Sequence, residues 1–198
     1  MSDSQVKISN IALSLLGEPL LTSLAEETKA ARLVDLRYDD VRDAVLRAHP
    51  WNCATKRAVL TSLATAPTYG FTTAYSLPSD FLRLVETDKR TNNFRIEGRT
   101  ILVDYSPVNI KYIYRVTDVS EMDDLLRQTI AARLAAEMAL PLTADADRMT
   151  ALWQQYQNKL SEARFVDAVE APTDGFLTNE WIDSRVQDSD PFRKITAV

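Results

Sequence analysis

The feature that most constrains this chain is a double change in hydrophobic period. Up to Ala48 apolar residues recur every three or four positions. From Trp51 to Asp118 the chain turns rich in Thr, Tyr, Val and Ile, punctuated by turn dipeptides, and beyond Ser120 the helical spacing returns. A period near 3.6 lines one face of a helix, whereas a period of two lines one face of a strand. The order predicts an α+β fold: a bundle of about four helices with a small antiparallel β module inserted between its second and third, and an extended C-terminal arm. The boundaries are 1–50 and 119–169 for the two halves of the bundle, 51–118 for the β module and 170–198 for the arm.

Local signals place the elements. Val6, Ile8, Ile11, Ala12, Leu15 and Leu16 mark a first helix from Ser4 to Leu16, with Gly17 as its C-cap and Pro19 as a stop. Ser23-Leu24-Ala25-Glu26 reads as a capping box opening a second helix. Ala30, Leu33, Val34, Tyr38, Val41 and Val45 form that helix's buried stripe, and His49-Pro50 ends it. Strands are expected at 55–63, 73–77, 82–88, 93–97, 100–105 and 109–116, with Glu97-Gly98-Arg99 as a hairpin loop. In the last strand Ile110, Tyr112, Tyr114 and Val116 alternate with Lys111, Ile113 and Arg115, which predicts one buried face. Ser120 is the expected cap of a third helix that buries Leu126, Ile130, Ala131, Leu134 and Met138 and closes at Pro141. A fourth helix starts at Thr143 or Asp145, buries Met149, Leu152, Trp153, Tyr156, Leu160 and Ala163, and lies antiparallel to the third.

Composition removes several function classes. Of 198 residues, 45% are hydrophobic and 26% charged, the balance of a globular chain, and no apolar run approaches the roughly 18 residues of a membrane span. The N-terminal residues lack a basic segment followed by an apolar core, so no secretory signal is expected. A net charge of −5 argues against a tight grip on DNA, which takes clustered Lys and Arg, but not against DNA that merely passes a mildly repelling wall. One cysteine, Cys53, and one histidine, His49, exclude an intrachain disulfide and a Cys/His zinc site; the reducing cytosol is the default compartment. Four scattered glycines exclude a Gly-rich phosphate loop. No cofactor and no metal are expected.

Any Ser-His-Asp or Cys-His arrangement must use His49, whose plain reading is a helix-end residue favoured by the dipole, as Cys53 is a small buried hydrophobe. Asp35, Asp39 and Asp43 share a helix face, and the arginines among them (Arg32, Arg37, Arg42, Arg47) make it a solvated, ion-paired row. Lys89, Arg90, Arg95 and Arg99 form the densest basic patch, read either as charged edge strands or as a surface facing a tail protein or nucleic acid. The arm is acidic yet carries Phe176, Leu177, Trp181, Ile182, Val186, Phe192 and Ile195. Such a segment builds no core of its own, but can order on a partner or fold back over its own body.

Four blocks carry a family resemblance: Ala12-Leu13-Ser14-Leu15-Leu16-Gly17-Glu18-Pro19, Tyr38-Asp39-Asp40-Val41-Arg42-Asp43, Leu46-Arg47-Ala48-His49-Pro50-Trp51-Asn52-Cys53-Ala54 and Tyr75-Ser76-Leu77-Pro78-Ser79-Asp80-Phe81-Leu82-Arg83-Leu84. Over residues 8 to 165 the chain resembles the head-to-tail adaptors of tailed bacteriophages, also called tail tubular protein A. The resemblance implies a non-enzymatic virion protein, made in the host cytoplasm, whose copies form a twelvefold ring between the portal protein and the tail nozzle protein. DNA crosses its lumen without sequence-specific binding, and the C-terminal arm reaches the portal. The residues fit that role if Trp51 fills the helix-to-sheet corner and Asp80 caps a backbone amide in a fixed turn. Two readings from other classes remain: a virion-associated cell-wall-degrading enzyme dependent on His49, and a non-viral scaffold module.

Overall fold

A computed structural model describes residues 5–89 and 93–170 and bears out the α+β class. Among the described residues, those up to Asp167 form one compact unit, and Ala168 to Glu170 fall outside it. This unit contains α1 (Gln5–Leu16), α2 (Lys29–Ala48), six strands, α3 (Asp124–Thr143) and most of α4 (Ala146–Glu170). The strands are β1 (Thr55–Val59), β2 (Thr73–Ser76), β3 (Phe81–Thr87), β4 (Phe94–Glu97), β5 (Thr100–Val103) and β6 (Asn109–Tyr114). They make two antiparallel three-stranded sheets, ordered β1-β6-β3 and β2-β5-β4.

β6 is the seam between two cores. Ile113 packs with the helices, while Ile110 and Tyr112 pack with Leu60, Tyr75, Leu77, Ile101, Val103 and Val108 against the second sheet. The expectation of one buried face is therefore corrected: alternation serves two apolar layers here rather than one layer and water. On β3, Leu82 and Val85 join the helical core whereas Phe81 and Leu84 join the β core. Strict alternation would put Leu82 and Leu84 on one face; register shifts between Phe81 and Arg83 and between Leu84 and Glu86 divide them.

The helix ends show which local signals win. α1 closes on a Schellman turn: Glu18 N–H donates to Leu13 O at 3.1 Å and Gly17 N–H to Ser14 O at 3.2 Å, with Gly17 at φ +68°. The capping box does not open α2. Thr28 does, its hydroxyl accepting from Ala31 N–H, while the Glu26 carboxylate turns back on the Thr22 and Ser23 amides to shape the loop before it. Asn10 fixes that loop's other end with two 2.8 Å bonds to the Leu21 backbone. Likewise Ser120 is not the cap of α3; it lies in a short 3-10 turn, and Asp123 accepts from Leu125 N–H instead.

α3 is the axis of the bundle. It buries Thr129, Ile130, Ala131, Ala132, Leu134, Ala135 and Ala136, interrupted only by half-buried Arg133, so its middle turns are covered all round rather than along a single stripe. Four of those seven are alanines, whose small side chains let neighbouring helices approach. Nor does Pro141 close it: the helix runs on to Thr143 and ends at Ala144 (φ +55°), whose N–H donates to Leu140 O. Lys29 Nζ donates to the Pro141 carbonyl. α4 runs back along α3, with Lys159 Nζ on Gln128 Oε1 at 3.0 Å and Arg133 beside the Tyr156 hydroxyl. Leu152, Tyr156, Leu160 and Ala163 form its buried stripe, as their spacing predicts.

Candidate functional site

The most specific block of the resemblance folds into a tied corner. Pro50 ends α2 and turns the chain toward β1. Trp51 is 1% exposed, its indole N–H donates to Val45 O at 3.0 Å, and its ring meets the His49 imidazole edge-on at 4.9 Å. The expectation that the indole fills the helix-to-sheet corner holds.

The last turns of α4 close the corner from the other side. Asp167 Oδ2 lies 3.0 Å from His49 Nε2, and its Oδ1 accepts from Asn52 N–H at 3.0 Å. Asn52 Nδ2 donates to the Asp167 carbonyl at 2.7 Å, and Arg164 donates to Ala48 O at 2.8 Å. α4 thus supplies a carboxylate and a guanidinium to the exposed end of α2, the cation at the carbonyl end where the dipole favours it. Burial pulls the imidazole below the usual histidine range; the hydrogen bond and charge of Asp167 oppose this without overcoming it. Burial also pushes the Cys53 thiol up, away from thiolate character.

His49 therefore has the orienting carboxylate that its helix-end reading lacked. No sequence signal announces it, because Asp167 lies 118 positions away. A histidine held by a carboxylate is half of a nucleophile-activating relay. Among the described residues no hydroxyl or thiol hydrogen-bonds to this imidazole, and the surrounding bonds join α2, β1 and α4. In this arrangement the imidazole helps to tie the end of α2 to α4.

The acidic row on α2 is also divided. Asp35 is exposed as expected, but Arg42 is 6% exposed and holds Asp39 at 2.9 Å and Asp43 at 2.9 and 3.0 Å. Asp43 then takes Arg115 at 2.7 Å, linking α2 to the segment after β6. Among the described residues no group of three His, Cys, Asp or Glu is placed to hold a metal ion. Asp80 does not cap a backbone amide; its carboxylate accepts from the Tyr112 hydroxyl at 3.1 Å and from Lys56 Nζ at 3.2 Å. Those contacts and burial push the Tyr112 hydroxyl up to about 12, burial foremost.

The basic patch is not one surface. Lys89 sits 4.6 Å above the Tyr105 ring. Arg95 alternates with Phe94 and Ile96 on β4 and faces the opposite side of that sheet. Arg90 lies outside the described residues, as do all seven arm residues from Phe176 to Ile195. Arg99 instead joins Arg47 and Arg83 in lining a groove of about 560 Å³ between β3 and β4, whose apolar wall includes Phe81, Leu84, Phe94 and Ile96. The sequence offered Arg83 within the Leu77–Leu84 block but gave no sign that it would meet Arg47 and Arg99. Two other grooves, of about 360 and 210 Å³, lie along β1 and β6 and beside the loop before α2. His49 lines none of the three.

No helix among the described residues is long and apolar enough to cross a membrane. Neither the protein-family models nor the curated proteins contain a match to this chain.

Proposed function

We propose that the protein is a head-to-tail adaptor of a tailed phage, a ring subunit that joins portal to tail and surrounds the passing DNA. The observation that carries the reading is the corner at His49-Pro50-Trp51-Asn52. The block that most resembles the adaptor family is occupied in tying two helices to a sheet, with its histidine and indole both engaged internally. A subunit that transmits force between neighbours needs such a rigid joint, and none of its atoms needs to meet a substrate.

Two features support the ring. A closing head-to-tail contact uses two different surfaces of one subunit, and exposed apolar side chains stand on two different helices, Leu36 of α2 (66% exposed) and Phe165 of α4 (71%). A net charge of −5 suits a lumen wall that mildly repels phosphate and leaves DNA mobile. In this reading the arm residues Phe176, Leu177, Trp181, Ile182, Val186, Phe192 and Ile195 engage the portal.

The test is light scattering on the purified chain with and without the portal protein of the same phage. A ring-sized mass bound to the portal supports the adaptor; a chain that stays monomeric in its presence contradicts it. Removal of 170–198 is expected to leave a folded body that fails to attach, and undiminished attachment would show that the arm is not the anchor.

A further inference from the structure

We infer that the groove between β3 and β4 is a docking site for an extended acidic peptide of another protein, which pairs with the free edge of β4. The inference does not depend on ring formation.

Three observations converge on it. First, β4 is the outer strand of its sheet, paired with β5 alone among the described residues. Its counterpart edge is protected: beside β2, Leu63 N–H donates to Ala74 O and Ser76 N–H to Thr61 O. β3, across the groove, is blunted by two register shifts and by Arg47 donating to Leu82 O. β4 has neither device, and its four residues offer roughly 13 Å of regular edge at about 3.3 Å per residue.

Second, the groove is cationic without compensation. Arg47, Arg83 and Arg99 line it together, and none of the three forms an ion pair among the described residues, whereas Arg32, Arg42, Arg115, Arg127 and Arg133 each hold a carboxylate. Each is anchored on a backbone carbonyl: Arg47 on Leu82, Arg83 on Arg47 at 3.0 Å, Arg99 on Pro78. A guanidinium has five donors, so this fixes its position and leaves donors for a carboxylate.

Third, the wall is apolar. Phe94 and Ile96 project into the groove from β4 and Leu84 from β3, and Ile96 is 40% exposed. A strand with carboxylates on one face and aliphatic groups on the other satisfies both requirements, with main-chain bonds to β4 giving affinity. A nucleic acid would need stacking platforms as well as cations, and of the two phenylalanines lining the groove Phe81 is already stacked on Tyr112 at 5.7 Å, which leaves Phe94 alone.

The experiment titrates the full chain with a short peptide of alternating glutamate and valine, its lysine–valine counterpart, an oligothymidylate and a peptide of residues 174–190. Saturable binding of the glutamate peptide, weakened at least about tenfold in Arg99→Glu and little changed in Arg95→Glu on the opposite face, supports the inference. Amide exchange supplies the second readout: protection gained at Phe94–Glu97 supports it, and none gained there overturns it. Equal or tighter binding of the lysine peptide or the oligothymidylate overturns it. Binding of the 174–190 peptide alone also overturns it, because the occupant is then a copy of this chain. If Arg99→Glu melts early, Arg83→Gln takes its place, and unchanged affinity in a folded Arg83→Gln counts against the site.

Discussion

The two cores on either side of β6 are built differently. The helical core is large, and around α3 it is mostly alanine with leucine and isoleucine; the β core is small and relies on Tyr75, Tyr112, Ile101 and Val103. In the first, neighbouring helices close on small residues along a continuous axis. In the second, short strands of four to seven residues are held by a few large side chains and by turns. The larger core is thus a frame, and the smaller one presents edges and grooves beside it.

Breaking the frame at its joint is expected to have the largest effect. Trp51→Ala should destabilise the protein by about 3–5 kcal/mol, the range for an aromatic side chain lost from a packed interior, measured by chemical denaturation. A change under about 0.5 kcal/mol would mean that the corner is not a joint. The β core sharpens the comparison. Ile101→Ala, at a fully buried position, should cost about 2–5 kcal/mol, and because β6 serves both cores the helices and sheets should still unfold in one transition. Two separated transitions would show that the seam does not couple them.

Smaller effects test the helix ends. Thr28→Ala removes the bond to Ala31 N–H and should cost about 1 kcal/mol, whereas Ser23→Ala, in an exposed turn, should stay within about 0.5 kcal/mol. The reverse order would restore the capping box as the start of α2. The smallest effect is a pH dependence. The folded state holds the His49 pKa below its unfolded value, so folding disfavours its protonated form. Stability should be flat above about pH 6.5 and fall as pH drops below it, toward the folded pKa. His49→Gln should remove that component of the slope, as followed by thermal melts across the range.

The frame was legible in the sequence because its periods are local. The helix–strand–helix order, the Gly17 stop, the His49-Pro50 break and six strands were all readable within windows of a few residues. What the sequence concealed depends on distance. Ser23 and Glu26 satisfy the capping-box pattern equally well in a turn, and only the packed position of α2 lets Thr28 win. β6 reads as half buried because alternation does not reveal whether water or a second sheet covers the other face. The same holds for the sites. Asp167 reaches His49 from the far end of α4, and the three arginines of the groove come from α2, β3 and the β4–β5 turn. The described members of the basic patch divide for the converse reason: only Arg95 lies within a strand, while Lys89 and Arg99 stand in the segments before and after β4, so sequence density of charge is not surface density.

As the proposed adaptor, the protein would be a frame gripped by identical neighbours. Negative-stain electron microscopy of the purified protein mixed with its portal tests this most directly. Class averages showing a twelvefold ring seated on the portal are the predicted result; portals that stay bare beside a folded, monodisperse chain would contradict it.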